Sequence, residues 1–130
     1  MRDSVIVPAS LTGLRDHPCD PLILAVRADG RPLKGLTGQV DWRLSGAISE
    51  MVKAGKFEQD APVLQPASPL LPCGRIVLWR VGTATPTEMA RLIAGLNGSR
   101  PGLCPGDFEF SETEAIHAFG PEIIVYRTTT

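Results

Sequence analysis

Chemistry has few candidate residues in this sequence. His17 and Cys19 flank a proline and are potential metal ligands, but a closed zinc site takes about four, usually with a second close pair. No CxxC or HxxxH pattern completes the set, so no metal site is expected. His117 falls about 200° around its helix from Ala115, which puts it on the exposed face as a solvated histidine rather than a general base. Cys73 precedes Gly74 and Cys104 precedes Pro105 in loop-like stretches, and Arg75 is close to Cys73 in sequence. A reactive thiolate needs a cationic neighbour or a helix N-terminus, and both cysteines are read as free structural thiols. No catalytic residue is assigned and no cofactor is expected.

A different chemistry is open to Gly35-Leu36-Thr37-Gly38, which opens a helical pattern. Unpaired backbone N–H groups at a helix start, aided by the helix dipole, can cradle an anion. Gly35, Thr37 and Gly38 are therefore the ligand-binding candidates, with a phosphate as the expected guest. Asp41, expected in the first turn of that helix, interacts favourably with the same dipole and competes with such a guest.

The helix itself lies in residues 31–57, RPLKGLTGQVDWRLSGAISEMVKAGKF. Apolar residues at Leu36, Val40, Leu44, Ala47, Ile48, Met51 and Val52 have the spacing of one buried helical face. The pattern predicts a single helix from Thr37 or Gly38 to Gly55, where glycine can adopt the left-handed stop. At about 100° per residue Trp42 points away from that stripe, beside Ser45, Gly46, Ser49 and Lys53. It either tucks under a proline-rich loop, stays partly exposed, or anchors an interface. Tryptophan next to arginine is a hot-spot composition, and small neighbours admit a second backbone. The interface candidates are Asp41, Trp42, Arg43, Ser45, Gly46 and Ser49.

Around this helix the sequence predicts a short opening strand at Val5 to Val7, a loop over residues 9–21, and a doubly covered strand at Leu22 to Val26. Asp29-Gly30 reads as a turn. Prolines at 62, 66, 69 and 72 leave room for only a short strand at Val63 to Gln65. Residues 75–81 form the second strong strand. Thr85, Pro86 and Glu88 make a capping box with proline at the first helical position, and Met89, Leu92, Ile93 and Leu96 face inward. Asn97-Gly98 ends that helix. Alternation over residues 107–110 suggests a short strand. Ser111 with Glu114 caps a last helix with Ala115, Ile116 and Phe119 inward, stopped by Gly120-Pro121. A strand over residues 123–126 and a frayed threonine tail at 127–130 complete the chain. The result is an α/β layered fold, a mainly parallel or mixed sheet flanked by about three helices.

The chain has 130 residues with 13 Lys and Arg against 14 Asp and Glu, a net charge of -1, which gives no footprint for nucleic acid or an acidic membrane. A single domain is expected over residues 1–130. The longest apolar run is far too short for a membrane span, the N-terminus lacks a secretory h-region, and three irregularly spaced cysteines make no disulfide framework. A cytoplasmic location is the default.

The strand LILAV, the run DGRPLKGLTGQVDWRLSGAISEMVKAGKF, a proline-containing connector and the strand RIVLWRVG together resemble the N-terminal domain of the leucyl aminopeptidase (cytosol aminopeptidase) family. The resemblance covers about residues 20–96 and implies a macro-domain-like α/β fold. That family's two-metal peptidase chemistry resides in a larger catalytic domain whose NTDAEGR-type segment is absent from this sequence. The resemblance therefore implies a non-catalytic domain acting in protein association, with a protein partner or as a homo-oligomer. Similarity to macro domains implies an alternative, since such domains bind ADP-ribose through glycine-rich loops. The asparagine-containing strand end and triple-glycine run typical of binders are absent, and KGLTGQ stands in their place. That alternative is a nucleotide or ADP-ribose-type ligand at Gly35 to Gly38.

Overall fold

The computed structural model describes residues 5–27, 33, 35–58, 61–97 and 100–128. Six strands form one sheet: β1 (Val5–Pro8), β2 (Leu22–Val26), β3 (Val63–Gln65), β4 (Ile76–Arg80), β5 (Gly102–Leu103) and β6 (Ile124–Arg127), in the order β1-β6-β5-β2-β4-β3. All neighbouring pairs are parallel except β3 with β4. Five helices join them, α1 (Leu11–Asp16), α2 (Gly35–Arg43), α3 (Ala47–Lys53), α4 (Pro86–Ala94) and α5 (Glu112–Phe119), with a 3-10 turn at Pro105–Phe108.

The alternation of side chains along each strand divides the core between two layers. Leu22, Leu24 and Val26 of β2 pack on one face with Leu14 of α1, Leu36 and Val40 of α2 and Ile48 of α3. Ile23 and Ala25 pack on the other face with Met89 and Ile93 of α4, Ala115 of α5 and Phe108. All five residues of β2 are buried, which is why this strand reads as an unbroken apolar run and not as an alternation.

Several local signals act as the sequence implies. Thr85 and Ser111 both close capping boxes, with Glu88 and Glu114 as their partners. Other expectations fail for identifiable reasons. Residues 9–21 are not all loop: the Ser10 hydroxyl accepts from the Gly13 amide and caps the short helix α1. The strand near residue 107 is replaced by the 3-10 turn, and the pairing strand lies earlier at Gly102–Leu103. Leu92 is 43% exposed instead of inward, because α4 rests on the sheet through Met89 and Ile93. The Asp29-Gly30 turn and the last two threonines lie outside the described residues.

The largest departure is in the central helix, which is two helices. The break falls at Ser45 and Gly46, both with left-handed backbone, φ 58° and 84°. Asp41 holds it. The Asp41 carboxylate accepts from the Ile48 amide at 2.7 Å, the Ser49 amide at 3.0 Å and the Ser49 hydroxyl at 2.6 Å. It therefore satisfies the free amides at the start of α3, and does not act in the first turn of α2 as expected. Ala47, expected inward, is exposed at the new helix start.

Candidate functional site

β2 and β5 lie side by side, with Leu22 opposite Gly102 and Ile23 opposite Leu103. From the carboxyl end of β2 the chain goes to α2 on one face of the sheet. From the carboxyl end of β5 it goes to the 3-10 turn and α5 on the other. Two adjacent parallel strands whose chains depart to opposite faces leave a crevice between them, the usual ligand position in an open α/β sheet.

The described walls of this crevice come from Arg27, Gly35, Leu36, Asp107 and Glu109. Gly35 begins α2 with φ 63°, a left-handed conformation natural to glycine. A side chain there would overlap the Asp107 carboxylate. That carboxylate, carried by the 3-10 turn, accepts from the Leu36 amide at 3.0 Å. The first free donor of α2 is thus met by an acid 71 positions away in sequence. Burial pushes the Asp107 pKa up, while the Leu36 amide and the neighbouring Cys104 thiol oppose the rise. Beside it Arg27, the residue after β2, pairs with Glu109 at 3.0 Å. Glu109 has φ 66°, a strained conformation for glutamate.

The structure separates the other candidate residues by role. Thr37 is 1% exposed, and its hydroxyl donates to the Ala25 carbonyl at 2.7 Å, fastening α2 to β2 rather than facing the crevice. Gly38 allows the Leu33 carbonyl to approach; a Cβ there would overlap it. The expected phosphate cradle at Gly35 to Gly38 therefore already holds a carboxylate. Sequence reasoning missed Asp107, although an acid in a Cys-Pro-Gly-Asp turn after a strand carries the signal of a carboxyl-end loop.

Trp42 is 76% exposed on α2 and is not covered by the proline-rich loop. Arg43 instead ties that loop, its Nε donating to the Leu70 carbonyl at 3.0 Å. Asp41, Trp42, Arg43, Ser45, Gly46 and Ser49 all line one surface depression of about 640 Å³ together with Leu33 and Gly38.

All three cysteines are free and buried, and burial pushes Cys19 up to about 12, Cys73 to about 11 and Cys104 to about 12. Arg75 leaves Cys73 alone and pairs with Asp20 at 3.3 Å. Among the described residues no group of three or more His, Cys, Asp or Glu is placed to hold a metal. His117 is exposed on α5, as the wheel implies. Among the described residues no helix is long and apolar enough to cross a membrane.

No protein-family model and no curated protein matches this chain. Solved structures do. The chain is similar to the macrodomain of Mycobacterium tuberculosis DarG, with 16% identity, a TM-score of 0.62, and 98% of this chain and 99% of that chain covered. The macrodomain of Thermus aquaticus DarG is similar at 15% identity and a TM-score of 0.62, covering 98% of each chain. The fold is macrodomain-like. The resemblance to the aminopeptidase N-terminal domain gains no support beyond this fold. In the macrodomain-like frame, the β2–β5 crevice is formed by the central strands of the sheet, and Asp107 is its buried acid.

Proposed function

We propose that this chain is a macrodomain-like binding module for a nucleotide or ADP-ribose-type ligand, seated in the β2–β5 crevice. The carrying observation is the meeting of the α2 N-terminus and the Asp107 carboxylate where the chain leaves β2 and β5 for opposite faces. Asp107 changes what that site selects. A ligand phosphate placed on the Leu36 amide would face a carboxylate within hydrogen-bond range, so the group beside Asp107 is a neutral donor such as a sugar hydroxyl. Phosphates lie farther along. The strained Glu109 and its pairing with Arg27 support a prepared site.

The reading is of binding and not of catalysis. The thiols are buried and protonated, and His117 is exposed on the last turn of α5, outside the set of residues that wall the crevice. Association through the Trp42 face rests on exposure alone, and the likeness to macrodomains favours the ligand. Calorimetric titration with ADP-ribose is the test: saturable heat that Asp107→Ala removes is expected, and a flat isotherm at millimolar ligand would end the reading.

A further inference from the structure

The outer face of α2 leads away from the crevice. Gly35 begins it, and Trp42 stands about 10 Å farther along the axis at about 1.5 Å per residue. Between them runs a groove of about 450 Å³ lined by Leu11, Leu33, Gly35, Gly38, Gln39 and Trp42. On the far side of the indole lies the depression of about 640 Å³ that Arg43 also lines. Trp42 is the shared wall of both.

The polar side chains of this groove are already engaged. Gln39 accepts from the Leu11 amide at 3.3 Å and donates to the Ala9 carbonyl at 2.9 Å. Asp41 is occupied by the start of α3. What remains for recognition is the flat indole, aliphatic side chains and the Arg43 guanidinium. A planar aromatic group can stack there without hydrogen-bond partners, and a cation beside it favours an anionic bearer.

We propose that Trp42 is the stacking wall of a second subsite, which takes the base of a nucleotide-type ligand whose sugar lies at Asp107. The inference rests on the crevice reading for the ligand's class, and on the groove's continuity with Gly35 for its path. A second copy of this chain or another protein would need no such continuity.

The test uses the full chain. Trp79 is 4% exposed, so indole quenching by an added ligand reports Trp42. Adenosine monophosphate should quench saturably and ribose 5-phosphate should not. Trp42→Ala should weaken adenosine monophosphate about tenfold, within the range of base stacking on an aromatic side chain. It should leave ribose 5-phosphate affinity unchanged, and Trp42→Phe should restore most of the loss. Equal affinity of wild type and Trp42→Ala for adenosine monophosphate overturns the subsite, while persisting ADP-ribose heat would leave the crevice standing. Conversely, Trp42-dependent quenching without any effect of Asp107→Ala on binding keeps the stacking wall and removes the crevice. Sedimentation showing a dimer that Trp42→Ala dissolves assigns this face to a second copy and overturns the proposal.

Discussion

The Asp107 carboxylate accepts from the Leu36 amide at 3.0 Å, joining the turn after β5 to the first turn of α2. This one contact closes the crevice floor, explains the glycine at position 35, and decides what kind of group a ligand can present there.

Asp107 should make stability depend on pH. Burial outweighs the opposing hydrogen bonds, so its pKa is higher in the folded state than in the unfolded one. The native state then holds the proton more tightly. Its stabilising contribution is present below the unfolded pKa of about 3.9 and is lost as pH rises through the folded pKa. Asp107→Asn stays neutral and keeps an acceptor for the Leu36 amide, so it should gain on wild type as pH rises through that window. Thermal melts of both proteins between about pH 3 and pH 7 check this; a constant difference in Tm would contradict it.

Gly35→Ala should cost about 2 kcal/mol. The left-handed backbone alone disfavours a side chain by about 1–2 kcal/mol, and the new Cβ displaces the Asp107 carboxylate. Urea denaturation measures the loss. In an Asp107→Ala background the same change should cost less, because the overlap is gone; equal costs in both backgrounds would show that the two residues are not coupled.

Asp41→Ala should destabilise by about 2 kcal/mol or more, since a lost helix cap costs about 1 kcal/mol and hydrogen bonds to a charged group are worth about 1.5–3 kcal/mol. Ser45→Ala, at an exposed position, should act only through its left-handed φ and cost less. The comparison separates the Asp41 cap from the break itself, and an Asp41→Ala protein as stable as wild type would remove the cap from the account.

The thiols should be silent. With Cys19 and Cys104 pushed up to about 12 and Cys73 to about 11, an aromatic disulfide reagent at pH 8 should label none of the three in the native chain. All three should react in denaturant. Rapid labelling of any one without denaturant would show an opening that the static structure does not contain.

Local signals were legible in the sequence because their partners are close. Thr85 with Glu88 and Ser111 with Glu114 each close within one turn, and β2 announces its double burial through five consecutive apolar residues. Trp42 was legible as an off-core residue from angular spacing alone. The break between α2 and α3 was hidden, since the apolar stripe runs on through it from Leu44 to Ile48 and only the Asp41 carboxylate turns the chain. The crevice was hidden more deeply. Gly35 looked like a phosphate cradle because nothing near it in sequence reveals that Asp107 arrives from the far side of the sheet, and Thr37 looked available because its bond to the Ala25 carbonyl depends on packing.

The central claim is a ligand in the crevice between β2 and β5, and amide chemical shifts of the full chain titrated with ADP-ribose test it most directly. The account predicts saturable shifts at Leu36, Thr37, Asp107 and Glu109 that vanish in Asp107→Ala. Shifts confined to residues elsewhere on the sheet or helices, or none at millimolar ligand, would contradict it.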